Sequence, residues 1–226
     1  MEDTDPSPLV RLRKLLGRVR RRFSVDTYDV FVRPVPPDAS FAAPEGYEFR
    51  FGTASDVERC DPFHTELDER ERAEGVRRLE LGHRVVLALH GPPPGTIVFT
   101  MWVNPRNLNV PGLLKRALGQ GQWFIYKAYT SPEHRGRKLY ESGMRFVLFE
   151  MRRSGLTELV GYAHVKKTVS RKGLSTLDFA SAGRVTQVSW PGITRTRVSK
   201  ELRARFPREV ARSTTAPAGR DSPRSA

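Results

Sequence analysis

Residues 129 to 140, Tyr-Thr-Ser-Pro-Glu-His-Arg-Gly-Arg-Lys-Leu-Tyr, constrain this chain more than any other stretch, because they carry an extended segment into a helix through a basic, glycine-containing turn. Trp123 to Thr130 has the aromatic and β-branched content of a strand. From about Lys138 to Arg153, Tyr140, Met144, Val147, Leu148 and Met151 share one helical face, and Gly155 is placed to stop the helix. The first turn of such a helix offers free N–H groups and the positive end of the dipole. With Arg135, Arg137 and Lys138 beside it, the turn suits a pyrophosphate.

Around this passage the pattern alternates between periods. Tyr47 to Phe51 alternates as a strand, and Ser55 with Glu58 reads as a capping box opening a helix over the Asp56 to Cys60 region. A charged helix is expected from about Glu66 to Leu81. Arg84 to His90 and Thr96 to Val103 read as two strands joined at Gly91-Pro92-Pro93-Pro94-Gly95, and residues 105 to 121 as a loop or short helix. Thr157 to Val165 is a further strand, Ser170 to Leu177 a short helix, and Phe179 to Val188 and Ile193 to Val198 the last strands. This order predicts a single mixed, mostly antiparallel sheet of about six to seven strands with helices on both faces.

Four stretches follow along the chain: a basic amphipathic helix over 1–23, a Pro-rich connection over 24–46, a folded domain over 47–200 and a basic, disordered tail over 201–226. The net charge of +14 sits mostly in the flanks, with +7 over residues 8–23 and +6 over 195–226. That distribution disfavours nucleic acid, whose reader would carry its charge on the folded core. Leu9, Leu12, Leu16, Val19 and Phe23 form an apolar stripe among arginines. The stripe either docks on an anionic membrane surface or acidic partner, or packs on the domain. The single cysteine, Cys60, excludes a disulfide framework, and the five histidines lack the spacing of a zinc site. No apolar run reaches about 18 residues and no secretory signal is evident, so a cytoplasmic location is expected.

With Pro132-Glu133-His134-Arg135-Gly136-Arg137 between a strand and a long helix, the element order resembles the GNAT superfamily of acyl-CoA N-acyltransferases over roughly residues 47 to 198. The resemblance implies acetyl-CoA or another acyl-CoA as co-substrate, no metal, and a central sheet whose fourth and fifth strands splay apart. In that family the turn carries Gln or Arg, two free positions, Gly, one free position, then Gly or Ala. Here Arg135 holds the first of these, Lys138 stands at the first glycine and Tyr140 at the last small residue, so Arg135, Gly136, Arg137, Lys138, Leu139 and Tyr140 are the implied pyrophosphate contacts. A downstream family element matches in register through Lys167, Ser170, Asp178 and Phe179, with the Ser and Phe identities kept, which adds Ser170 to the cofactor set. The family's thiolate-protonating Tyr corresponds to Leu174. Water or another side chain then reprotonates the thiolate, or the site binds without turnover.

The resemblance also implies that a backbone amide within Ala128, Tyr129 and Thr130 polarises the thioester carbonyl. An acceptor amine is mostly protonated at neutral pH and needs a base. His164, near the end of the fifth strand, is the first choice, with Tyr129 as a second catalytic candidate and Glu66 and Glu69 behind it. Strand alternation puts Tyr126 and Tyr129 on opposite faces, so at most one looks into the site. Trp102 and Trp123 are either walls of an acceptor pocket or core. From Lys127 to Lys172 eleven lysines and arginines, with His134, face only four acids, a field that favours an anionic co-substrate.

The expected function is therefore N-acyl transfer, most simply N-acetyl transfer, to a primary amine of a small or medium-sized acceptor. Two alternatives remain: a non-catalytic CoA- or ligand-binding protein on the same fold, and a transferase drawing on aminoacyl-tRNA.

Overall fold

The structure, a computed structural model, describes residues 23–62, 65–190 and 193–207. The expected amphipathic helix lies outside the described residues except for Phe23, as does most of the expected tail.

Among the described residues, ten strands and five α-helices follow one another as β1 (Ser24–Pro34), β2 (Tyr47–Phe51), α1 (Ala54–Glu58), α2 (Glu69–Glu80), β3 (Arg84–His90), β4 (Thr96–Asn104), β5 (Asn107–Val110), β6 (Leu114–Ala117), β7 (Gln122–Thr130), α3 (Leu139–Arg153), β8 (Glu158–His164), α4 (Thr168–Thr176), β9 (Ala180–Trp190), β10 (Ile193–Val198) and α5 (Lys200–Arg205). Eight strands form one sheet in the order β10-β9-β1-β8-β7-β4-β3-β2, and β5 and β6 form a separate hairpin. Neighbours are antiparallel except β7 and β8, which run parallel.

Helices cover both faces. On one, α3 inserts Met144, Phe146, Val147, Leu148 and Met151 against Val86, Phe99, Met101 and Val103 of the sheet, joined by Leu174 and Leu177 at the end of α4. Each such side chain taken from water contributes about 2 kcal/mol. On the other face, Val57 of α1 and Val76 of α2 pack with Val85, Leu87 and Trp102, while Leu108, Val110 and Leu114 of the hairpin cover Val30, Phe124 and Val160.

Four expectations are corrected. Residues 24–34, read as part of a connection, form β1, a central strand between β8 and β9. Its Asp29 is 5% exposed and tolerated there because Arg184 Nε donates to Oδ1 at 2.6 Å and Arg171 lies 3.2 Å from Oδ2. Residues 105–121 hold the β5–β6 hairpin, turned at Gly112 with φ +72°, in place of a loop or short helix. The domain runs past residue 200, since α5 buries Leu202 and the following Phe206, each 1% exposed. The capping box of α1 is Thr53 with Asp56, not Ser55 with Glu58: the Thr53 side chain accepts from Asp56 N and the Asp56 carboxylate from Thr53 N. Among the described residues no helix is long and apolar enough to cross a membrane.

Candidate functional site

The site is opened by the way β7 leaves its neighbour. The β7–β8 ladder covers only Gln122 to Phe124 opposite Glu158 to Val160, so the β8-facing edge of β7 from Ile125 onward has no strand partner in that ladder. On its other side β7 stays paired with β4, but the register shifts between Thr100 and Trp102, and Lys127 there has φ +46°. This is a bulge, which bends the strand and re-aims its side chains. The Lys127 ammonium is bonded to the Glu71 carboxylate, tying the bulge to α2. The expected splay of the fourth and fifth strands of the family pattern, here β7 and β8, is thus observed.

The bulge corrects the expectation for the two tyrosines. Tyr126 pairs with Trp102 and Tyr129 with Thr100, and these partners are two residues apart on β4. The extra residue therefore puts Tyr126 and Tyr129 on the same face, and both line the cleft. Trp102 and Trp123 are core, 0% and 6% exposed.

A cleft of about 1210 Å³ runs along the splay. At one end it is lined by Ala128, Tyr129, Thr130, Arg135, Tyr140 and Ser170, six of the residues assigned from sequence to the co-substrate. Gly136, Arg137 and Lys138 are exposed in the adjoining turn, and Leu139 is buried in the core at 2%, leaving its backbone to serve any ligand. Lys138 has φ +58° and ψ 22°, the left-handed conformation a glycine adopts at no cost. As N-cap of α3 it makes no side-chain cap hydrogen bond, so the first-turn N–H groups lack that partner. Gly136 has φ +78° with open space where a Cβ would stand. The backbone here meets the requirement for an anion cradle.

Tyr140 is accommodated by a glycine. A Cβ on Gly173 of α4 would stand 2.9 Å from Tyr140 Cε1, so the bare backbone leaves room for the ring. Burial pushes the Tyr140 phenol up to about 12. Leu174, in the place of the family's acid, is 1% exposed and sits above Gly161, with no proton to give.

At the other end the cleft meets the hairpin and α2. Tyr28, Tyr162, Phe124 and Tyr126 form a run of touching rings with centroids 5.6 to 5.7 Å apart. Beyond Tyr126 stands His83, whose Nδ1 lies 2.6 Å from the Tyr126 hydroxyl. Burial, then the nearby Arg78 and Arg106, lowers the His83 pKa, and burial raises that of Tyr126. Both groups are neutral at pH 7.

His164, assigned as base from sequence, lines the cleft with its ring edge-on to Tyr28 at 4.8 Å. Its Nδ1 accepts from Lys166 N at 3.1 Å and its Nε2 faces Asp26 at 3.7 Å. The lone pair of the neutral ring is thus taken by a backbone N–H. Glu66 lines the cleft and Glu69 opens α2 outside the lining. Cys60 is buried and its thiol is pushed up to about 11, mainly by burial, so it stays protonated.

A sheet of this order, split between one parallel pair beside an uncapped helix start, is the fold of the GCN5-related N-acetyltransferases. Solved structures bear this out. A protein from Novosphingobium aromaticivorans described as a GNAT-family acetyltransferase shares 19% identity at TM-score 0.50, over 83% of this chain and 69% of that one. A GCN5-related glucosamine N-acetyltransferase region of a fungal multi-domain β-N-acetylglucosaminidase shares 12% at TM-score 0.51, over 82% of this chain and 23% of that one. A Drosophila protein, whose description names no activity, shares 12% at TM-score 0.52, over 83% of this chain, which spans 59% of that one. The sequence matches no protein-family profile and no curated protein.

Proposed function

We propose that this protein is an acyl-CoA-dependent N-acyltransferase that acylates, most simply acetylates, a primary amine of a small or medium-sized acceptor. The observation that carries the reading is the unpaired edge of β7 from Ile125 to Thr130 running up to the uncapped, left-handed start of α3 at Lys138. An extended pantetheine suits the first and a pyrophosphate the second. The residues fit the co-substrate: Ala128, Tyr129 and Thr130 would border the arm, Arg135, Gly136, Arg137 and Lys138 the phosphates, and Ser170 and Tyr140 the wall between. The acyl-CoA would supply the acyl group, its C–S bond breaking so that the CoA part leaves as a thiolate.

The protein's own part is to hold the carbonyl against the β7 backbone, to exclude water along the Leu174 and Tyr140 wall, and to take the proton from the amine. Water supplies the thiolate's proton, since Leu174 has none to give. Thermal-shift titration with acetyl-CoA, followed by thiol release on an amine panel, tests the reading. Stabilisation with turnover supports it; no shift with acetyl-CoA or free CoA sinks it, and binding without thiol release on any amine favours a ligand-binding protein on the same fold.

The basic flank is proposed to bring a cytoplasmic protein to an anionic membrane surface. Five exposed large apolar residues support this, Phe23, Val25, Val188, Trp190 and Ile193. Register pairs Val25 and Arg195 with Val188, and Ile193 with Trp190, so they share one sheet face with arginines. Apolar residues interspersed with arginines suit a lipid headgroup layer.

A further inference from the structure

We infer that His83 and Tyr126 form a proton relay that accepts the proton of the acceptor amine, an assignment that rests on the acyltransferase reading above.

The pair is assembled from three elements. His83 is set at the start of β3 by the turn that ends α2, where Gly82 N donates to Leu79 O and His83 N to Arg78 O. Tyr126 is presented by β7 one residue before the bulge at Lys127, which turns Tyr126 and Tyr129 to the same face. The hydroxyl and the ring Nδ1 meet at 2.6 Å, and both residues line the cleft that holds Ala128 to Thr130. Tyr126 is further fixed by stacking on Phe124, with rings 5° from parallel at 5.7 Å. The phenol therefore stands on the acceptor side of the unpaired β7 edge, with the imidazole behind it.

A neutral ring paired this way has Nδ1 as acceptor, Tyr126 as donor and its proton on Nε2. An incoming primary amine attacks as the free base. As the new N–C bond forms and the C–S bond breaks, the nitrogen becomes strongly acidic. Its proton passes to Tyr126 Oη while the Tyr126 proton passes to His83 Nδ1, giving imidazolium. The thiolate leaves and takes a proton from water, and the imidazolium returns its proton through solvent to the hydroxide so formed; free amine and thioester become amide and thiol with no net proton released or consumed. Two features suit the pair to this role. His83 is neutral because burial, then Arg78 and Arg106, oppose its charge against the opposing pull of Glu74. Tyr126, raised by burial with Arg78, Glu74 and Tyr162 around it, keeps its proton until the relay moves. The nearby Glu71 carboxylate is held by Lys127 and does not compete for the amine proton. His164 lacks an equivalent free acceptor, because Lys166 N–H occupies its Nδ1.

The test uses the full-length protein and the variants His83→Gln, Tyr126→Phe and His164→Gln. For each, acetyl-CoA binding is measured by calorimetry, kcat and KM against pH with the best amine of a panel, and the His83 ring by NMR titration. In the wild type the imidazole should stay neutral with its proton on Nε2 to below pH 6.5, and kcat should rise with pH through that same inflection. His83→Gln and Tyr126→Phe should bind acetyl-CoA within about twofold of wild type, lose about 100-fold in kcat with little change in KM, and lose the inflection. His164→Gln should keep the inflection. Variants at 83 and 126 that bind and turn over with the wild-type pH profile would overturn the relay and leave the acyltransferase reading standing. Absence of acetyl-CoA binding by the wild type would overturn that reading, and the relay with it.

Discussion

Lys138 shows how a residue can break a sequence pattern and keep its geometry. At the place of the first glycine it takes φ +58°, a left-handed conformation that glycine adopts at no cost, and it adds a cation to the turn. Tyr140 breaks the same pattern differently, and the compensation lies 33 positions away in Gly173, which sequence spacing does not reveal. Asp56 is the best-held single charge among the described residues. Arg50 grips it through two bonds of 2.7 and 2.8 Å, and Arg59 and the Thr53 N–H add further donors. These hold its carboxyl far below the ordinary carboxylate range, with Arg50 the largest cause. Its folded pKa is thus depressed, so the stabilisation is present in full above the unfolded value of about 4 and is lost as pH falls below it. Asp56→Asn should cost about 2 kcal/mol at pH 7, and urea unfolding across pH 2 to 7 should show a flatter acid limb than wild type. An unchanged acid limb would show that Asp56 is not where this pH dependence resides.

At the scale of elements, the helices and the strands flanking them were legible from period and caps, since each carries its own apolar face. The remaining elements are not legible in the sequence, each for a physical reason. β1 is hard to read because Pro34 ends it, Pro36 and Pro37 follow it, and Asp26 and Asp29 interrupt its apolar pattern. Only tertiary pairing with Arg171 and Arg184 makes Asp29 tolerable in mid-sheet. The β5–β6 strands span four residues each, too few for a period to show. The bulge at Lys127 lies at a non-glycine residue, and without it the face of Tyr126 comes out wrong. His83, one of five histidines, becomes a candidate only through its bond to Tyr126, 43 residues on. The close approach of α3 to the sheet is set by Gly143, where a Cβ would stand 2.6 Å from Phe99 Cε1. Gly143→Ala should therefore destabilise by about 1 to 3 kcal/mol, despite the better helix propensity of alanine. Thermal or chemical unfolding measures this, and a gain in stability would show that the Phe99 ring yields freely.

Across the whole molecule, two surfaces stand apart. The cleft is lined by the cations Lys127, Arg135, Lys166 and Lys167 and by the rings of Tyr28, Phe124, Tyr126 and Tyr162. The apolar and arginine-bearing face of β1, β9 and β10 involves a different part of the sheet. If that face meets anionic lipid, co-sedimentation with phosphatidylserine vesicles should exceed that with phosphatidylcholine, fall with salt, and weaken when Trp190 and Ile193 are changed to Ser. Equal recovery with both lipids would remove the membrane from the account, and a concentration-dependent dimer lost in the same variant would assign the face to a second copy.

The central claim is that the β7 edge and the start of α3 hold an acyl-CoA. Calorimetric titration of acetyl-CoA into the wild type and Arg135→Glu tests it most directly. Arg135 is exposed at the cleft mouth and donates to Thr130 O at 3.3 Å, so its reversal alters the cradle's charge with little effect on the core. Saturable one-to-one binding that weakens about tenfold or more in the variant is the predicted result. No binding by the wild type, or equal binding by both, would contradict the assignment.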